Sequence, residues 1–179
     1  VVLNGKSAAL PEVREAILAC RKAGHDIEVR VTWESGQAAE FAEEAARQGR
    51  DIVIAAGGGG IPVVMDGRGV LRGVEGVVDK DHTAAILARI VGAEVLLILT
   101  DVSRVTLNYG RQDQQEIGEM TVREARDHLA AGHFPPGSMG PKVEAAVRFI
   151  ENGGKRATIA SLEEASLALA GRVGTRITP

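Results

Sequence analysis

The amino-acid sequence predicts an α/β protein, a three-layer αβα sandwich with a mostly parallel sheet and a β-hairpin around residues 61–78. Two observations carry this prediction. Short runs rich in Val and Ile alternate with longer stretches of helical periodicity, and repeated βα units of this length imply parallel strands joined by right-handed crossovers. The 179 residues also include 22 Gly but only one Trp, one Tyr and three Phe. The core is therefore expected to consist of Val, Ile, Leu and Ala, as in a buried parallel sheet.

Length and composition predict a single globular domain over residues 1–179. Apolar residues make up 45% and charged residues 25% of the chain, which excludes a disordered or collagen-like protein. The net charge is −3, and so mild an acidity argues against a nucleic-acid surface. No apolar run approaches the roughly 20 residues of a membrane span. With one cysteine and no basic region leading into an apolar stretch at the start, we expect a cytoplasmic protein that binds neither nucleic acid nor membranes.

In the first sixty residues, strand and helix signals alternate, and glycines follow both helices. The predicted elements are strands at 1–4, 26–33 and 51–56 and helices at 11–23 and 37–48. Ser35 is the expected N-cap of the second helix, and Cys20 is expected to lie in the core. The continuous β-branched run 51–56 is typical of a central strand.

The remainder of the chain begins with two apolar runs around an Asp66-Gly67 turn, which predict the hairpin. The predicted elements after it are helices at 79–91, 121–131, 141–151 and 162–170 and extended segments at 94–99, 102–109, 157–160 and 175–178. Residues 110–118 are predicted to form a polar loop and 132–140 a second loop. Thr121 with Glu124, and Ser161 with Glu164, have the spacing of capping boxes.

The run Gly57, Gly58, Gly59 and Gly60 follows the predicted central strand, where ligands bind in open parallel sheets. Residues without side chains let backbone N–H groups approach an anion closely, as a phosphate-binding loop requires. A tight or flexible connection is the alternative interpretation. Four consecutive glycines favour anion contact.

Two lysines are predicted to stand at the starts of helices. Lys142 follows a glycine-containing loop, and Lys80 is flanked by Asp79 and Asp81. A cation is poorly placed at the positive end of a helix unless an anion also binds there; a solvated lysine is the alternative. Together with the glycines, these residues suit phosphoryl transfer, which depends on positioning and charge neutralisation. The four histidines have no metal-ligand spacing, so no metal cage is predicted.

Residues 57–179 resemble the carboxyl-terminal half of carbamate kinases, in the amino-acid-kinase family. The matching strings are AGGGGIPV at 56–63, EGVVDKD at 75–81, LTDV at 99–102, LNYG at 107–110 and GHFPPGSMGPKVEAA at 132–146. The last string is long and distinctive.

This resemblance implies a role for each matching residue. Lys80 and Lys142 would neutralise the transferring phosphoryl group, and Asp81 would orient them. The four glycines would face carbamate and the γ-phosphate. The resemblance also implies that ATP or ADP with Mg²⁺ is the cofactor, held near Thr100, Asp101, Val102, Tyr109, Gly137, Ser138, Met139 and Gly140.

Residues 1 to about 59 resemble a different family, the amino-terminal lobe of bacterial lipid kinases related to diacylglycerol kinase. The matching strings are LNGKS at 3–7, REAI at 14–17, GHDI at 24–27 and VRVTWE at 29–34. The lipid-kinase pattern stops at the glycines, where the carbamate-kinase pattern begins. The two resemblances together predict an engineered chimera in which a 1–59 segment and a 60–179 segment form one hybrid domain.

A chimera of this kind would lack the carbamate kinase's acceptor-binding half. The sequence therefore predicts a protein that retains at most ATP, ADP or phosphate (or sulfate) binding, without efficient catalysis. The alternatives are a weak carbamate kinase, which interconverts ATP and carbamate with ADP and carbamoyl phosphate, and a ligand-free structural scaffold. The oligomeric state is not predicted.

Overall fold

The computed structural model describes residues 1–4, 8–32, 36–56, 63–76 and 78–179. The chain divides into two compact units, Val1–Lys80 and Asp81–Pro179. A single domain over the whole chain stays a prediction. No helix in the described ranges is both long and apolar enough to span a membrane.

The first unit is built on a small parallel sheet. Strand β1 (Val2–Asn4) lies between β2 (Arg30–Thr32) and β3 (Ala55–Ala56). Helices α1 (Pro11–Lys22) and α2 (Gln37–Arg47) follow β1 and β2 in the chain. The predicted hairpin is confirmed: β4 (Val63–Met65) pairs antiparallel with β5 (Leu71–Gly73).

Several expectations for this unit were wrong. Within the described part of the predicted strand 26–33, residues 26–32, only β2 is a strand, and within the predicted central strand 51–56 only β3 is one. Among the described residues β3 pairs with β1 alone, which places it at the edge of the sheet they form, and Ile52 and Ile54 are 59% and 49% exposed. Cys20 is exposed rather than in the core, because α1 buries none of its residues.

The predicted N-cap of α2 also differs from the structure. Gly36 occupies that position with a φ of 88°, in the left-handed region that glycine adopts readily. Ser35 itself lies outside the described residues.

The second unit has a larger, mixed sheet. Its strands are β6 (Val95–Thr100), β9 (Glu119–Thr121), β10 (Arg156–Ser161) and β11 (Thr175–Thr178). Their order is β6-β10-β11-β9, with β6 parallel to β10, β11 antiparallel to β10, and β9 parallel to β11. A separate antiparallel pair joins β7 (Val105–Leu107) to β8 (Gln115–Ile117).

The helices around this sheet come close to their predicted bounds. They are α3 (Lys80–Ile90), α4 (Val122–Ala130), α5 (Met139–Glu151) and α6 (Ala165–Leu169), the last preceded by a 3-10 turn, Leu162–Glu164. The α/β class is confirmed.

Strand β10 is the centre of the second unit. Ala157 and Ile159 share one face because side chains alternate along a strand, and they join a core cluster that includes Val143 and Val147 of α5. Thr158, on the opposite face, is also fully buried. Both faces of β10 are therefore covered, as expected for the middle layer of a sandwich.

Local signals in this unit had mixed outcomes. The capping box at Thr121 and Glu124 is confirmed, with both reciprocal bonds formed. At the second proposed box, the Ser161 hydroxyl donates to the Glu164 carboxylate over 2.9 Å, but the Ser161 side chain forms no capping hydrogen bond. The predicted polar loop 110–118 was wrong in part, since β8 lies within it. The hydroxyl of Thr175 accepts a bond from the Val105 N–H and donates to the Ile117 carbonyl, which ties the β7–β8 pair to β11.

Candidate functional site

A buried ion pair joins the first turns of two helices. Lys142 Nζ, on α5, lies 2.8 Å from Asp81 Oδ2, on α3. The two residues are only 8% and 7% exposed. The structure thus brings together two of the three residues expected to be catalytic, although they are 61 positions apart in the chain.

Gly140 lies in the first turn of α5 and contacts the backbone of the preceding loop. Its N–H donates to the Pro135 carbonyl over 3.0 Å, and a Cβ on Gly140 would lie 3.1 Å from that oxygen. This close approach suits a residue without a side chain. The helix starts at Met139, two residues earlier than predicted, so Met139 and Gly140 belong to the helix rather than to the preceding loop. Lys142 is then in the first turn.

Asp81 and Lys142 are not equally suited to the start of a helix. Each helix N-terminus carries roughly half a positive charge, so a carboxylate such as Asp81 is favoured there, whereas an ammonium such as Lys142 would be repelled without a partner. A buried ion pair is a weak source of stability, because desolvation offsets its attraction.

A second contact links the same two helices. His82 Nε2 lies 3.7 Å from Glu144 Oε2, one residue beyond Asp81 on α3 and two beyond Lys142 on α5. The sequence did not single out this pair.

The carboxyl ends of β6 and β10 form a polar edge. Thr100 and Ser161 are register partners there, and the Thr100 hydroxyl donates to Asp101 Oδ1 over 3.0 Å. Hydrogen bonds from Ser161 and Ser103 lower the pKa of Glu164 below its ordinary value. Thr100 and Asp101 were predicted from their place after a strand; Ser103 and Glu164 were not recognised as part of this edge.

Tyr109 projects from the turn that follows β7. It is 67% exposed, and the preceding residue, Asn108, has a φ of 52°. The Asn108 amide donates to Asp113 Oδ2, and its oxygen lies within 2.8 Å of His133 Nδ1. The Asn-Tyr-Gly sequence is a turn signal, but the partners of Asn108 come from elsewhere in the chain and were missed.

The other predicted site residues are more scattered. Lys80 is exposed at the first position of α3, Val102 is half-buried after β6, and Gly137 and Ser138 are exposed before α5. The four glycines at 57–60 lie outside the described residues. The roles assigned to all of these residues stay predictions.

Most of the chain matches a known protein family. The sequence model of the amino acid kinase family matches residues 8–161. The chain belongs to the amino acid kinase family. It is 52% identical over 126 residues to carbamate kinase from Thermococcus kodakarensis, a match covering 70% of this chain and 40% of that protein. For carbamate kinase from Halobacterium salinarum the identity is 52%, covering 71% and 41%.

Two solved structures are similar to most of this chain. Carbamate kinase from Giardia lamblia bound to AMP-PNP is 32% identical, with a TM-score of 0.71 over 92% of this chain and 55% of that one. A crystal structure from Aeropyrum pernix K1 is 41% identical, with a TM-score of 0.70 over 92% and 56%. The chain spans about two fifths of the length of the curated relatives it matches.

These matches confirm the carbamate-kinase resemblance. They also bear on the predicted junction near residue 59, since the family match begins at residue 8 and runs across it. They lend no support to a lipid-kinase origin for the first segment or to an engineered, joined chain.

Proposed function

We propose that this chain carries the nucleotide-binding part of a carbamate-kinase-type phosphotransferase, which interconverts ATP and carbamate with ADP and carbamoyl phosphate. The observation that carries the proposal is the buried Asp81–Lys142 pair at the start of two helices. The proposal is supported by the identity of 52% over 126 residues between this chain and carbamate kinase from Thermococcus kodakarensis.

The pair suits phosphoryl transfer. In the forward direction, a carbamate oxygen forms a bond to the γ-phosphorus of ATP while the bond to the ADP oxygen breaks, and negative charge moves onto ADP. Lys142, held by Asp81 in a site with little water, neutralises phosphoryl oxygens without first having to be ordered. Lys80 adds a second ammonium on the first turn of α3. No acid or base is needed for this step beyond positioned charge.

The nucleotide would lie along the carboxyl edge of β6, at Thr100, Asp101 and Val102, and near Tyr109 and residues 137–140. That edge is where ligands bind in open α/β sheets. Mg²⁺, when bound with the nucleotide, would supply further charge neutralisation on the phosphates.

A second candidate is nucleotide binding without efficient turnover. The residues of this chain match about 40% of the length of the carbamate kinase relatives. Groups that orient the acceptor can supply roughly 7–11 kcal/mol of a barrier. If those groups lie in the unmatched part of the relatives, the residues of this chain would by themselves bind nucleotide and transfer phosphate slowly.

Calorimetric titration of the chain with Mg·ADP tests the nucleotide site. We expect binding in the micromolar range, about 8 kcal/mol, and a loss of at least about tenfold on Lys142→Met. That single change also removes the ammonium that faces the buried Asp81, and breaking a buried ion pair costs about 3–5 kcal/mol of stability. The double variant Asp81→Asn/Lys142→Met removes this penalty and should be folded but equally weak in binding.

Lys155→Met is the matched control, because Lys155 pairs with Glu94 at the exposed surface and its loss should leave ADP affinity unchanged. No heat of binding from the folded wild-type chain would overturn the nucleotide proposal and favour a ligand-free scaffold. ATP formation from ADP and carbamoyl phosphate, abolished in the double variant, would establish the kinase over the binding-only candidate. Binding without ATP formation would establish the reverse.

A further inference from the structure

We propose a second anion site in the Asp81–Pro179 unit, a cavity that binds one phosphate-type dianion at the turn between α6 and β11. The cavity has a volume of about 280 Å³. Three arginines line it, Arg104, Arg172 and Arg176, with one carboxylate, Glu119. None of these residues belongs to the Asp81–Lys142 site, and the proposal does not depend on the proposed function.

The cavity has an excess of positive charge. Arg176 pairs with Glu119 over 2.9 Å, and Arg104 Nη1 lies 3.9 Å from Glu116, with Glu164 also within its electrostatic reach. Arg172 is exposed, and no carboxylate in the described ranges forms an ion pair with it. At least one guanidinium of the cavity is therefore uncompensated.

A fourth guanidinium lies against the same turn. Arg156 Nη1 is 2.9 Å from the position that a Cβ on Gly171 would take, and Gly171 lines the cavity. Arg156 Nη2 donates to the Leu169 carbonyl over 2.8 Å. Its buried Nε has no hydrogen-bond partner among the described residues. Several arginine side chains therefore lie near the turn, and at least one of their N–H groups forms no hydrogen bond among the described residues.

The chemistry of these donors favours a phosphate-type ion. Guanidinium groups bind tetrahedral oxyanions through paired N–H donors and remain charged at any physiological pH. Gly171 and Gly174 carry no side chain that would fill the cavity, and both have positive φ, 73° and 91°. The volume of about 280 Å³ is ample for one such ion.

The test is a titration of the full chain with inorganic phosphate, in which NMR monitors the arginine Nε–Hε signals. We expect Arg172→Gln to weaken phosphate binding about tenfold, the scale of one charge-assisted hydrogen bond. Arg123→Gln, which removes an exposed arginine of α4, is the matched control and should leave the affinity unchanged. The Asp81→Asn/Lys142→Met variant should keep this binding, and acetate, a monoanion, should bind at least about tenfold more weakly.

Each contrary outcome is informative. Equal phosphate affinity in Arg172→Gln and Arg123→Gln would overturn the second site. Loss of all phosphate binding in the Asp81→Asn/Lys142→Met variant would show a single anion site, the one under Proposed function. A saturating titration that moves no arginine Nε–Hε signal would also overturn the inference. Retained binding in that double variant, with loss in Arg172→Gln, would support it whatever the outcome for ADP.

Discussion

The two units of the chain differ in how much of their apolar surface they bury. Among the described residues, the apolar side chains buried in Val1–Lys80 are those of Val2, Leu3 and Ala42, whereas the core of Asp81–Pro179 extends over β6, β10, β11 and α5. Both units have surface ion pairs, such as those of Arg50 with Asp26 and Glu28 in the first and of Lys155 with Glu94 in the second. Surface pairs contribute about 0–1 kcal/mol each, so the second unit should be the more stable scaffold, and it holds the Asp81–Lys142 pair.

Strand length explains much of this difference. The central strand β10 has six residues and is covered on both faces, while β1 has three and β3 has two. Each extra pair of strand residues adds one side chain to each face. A short sheet offers little area to a helix face, and Leu18 of α1 is 52% exposed.

The largest expected effect comes from truncating a buried isoleucine of the second unit, compared with an exposed isoleucine of the first. Ile159→Ala, at a fully buried position of β10, should lower the free energy of unfolding by about 2–5 kcal/mol through lost burial and a residual cavity. Ile54→Ala, at a half-exposed position, should cost less than about 1 kcal/mol. Urea denaturation followed by circular dichroism measures both. Equal costs would show that the first unit is packed as tightly as the second.

Two glycines with nearly the same φ allow a finer comparison. Gly174 has a φ of 91° and Gly24 one of 92°. A Cβ on Gly174 would lie 2.8 Å from the Ile159 carbonyl oxygen, whereas one on Gly24 would meet nothing within 4 Å. Gly24→Ala should therefore cost only the strain of the left-handed backbone, about 1–2 kcal/mol.

Gly174→Ala should cost at least about 1 kcal/mol more than Gly24→Ala, because the turn must also move away from β10. The difference in thermal unfolding midpoint between the two variants measures this close packing. If both variants unfold at the same temperature, the turn at Gly174 is free to shift and β10 is less tightly covered than the structure shows.

The smallest effect is a pH dependence with a different origin in each unit. Hydrogen bonds from the Thr121 backbone N–H and hydroxyl lower the pKa of Glu124 below its ordinary value of 4.5. The Arg72 guanidinium, then the Val70 and Arg68 N–H groups, lower the pKa of Asp66 below 3.8. Because both pKa values are lowered by folding, each carboxylate stabilises its unit above the unfolded value, and this is lost as pH falls through the folded pKa.

High salt should change the pKa values of Asp66 and Glu124 to different extents. The lowered pKa of Asp66 depends first on a charged partner and should move back towards 3.8 in high salt, whereas that of Glu124, whose main donors are neutral, should persist. NMR titration of the two carboxyl carbons at low and high salt measures this. An equal salt response at both groups would contradict the assignment of these causes.

The accuracy of the sequence-based predictions depends on the range of the interactions involved, and not on the unit. Helix bounds, the hairpin and the Thr121–Glu124 capping box were predicted, because periodicity, turn residues and caps act within a few positions of the chain. The burial of Ile52, Ile54 and Cys20 was predicted wrongly, because it depends on what covers a strand or helix. Strand β8 was missed since its pairing with β7 is visible only once the chain folds back.

For the candidate site, the sequence by itself determined which chemistry is available: two lysines and an aspartate at helix starts, and polar residues after a strand. The tertiary structure decided which of them meet. Lys142 and Asp81 come within 2.8 Å because the folded chain brings the starts of α3 and α5 together. The arginines of the second proposed site are spread from Arg104 to Arg176, and no local pattern in the sequence relates them. Contacts between distant residues depend on packing and strand order, which the sequence specifies only through the whole fold.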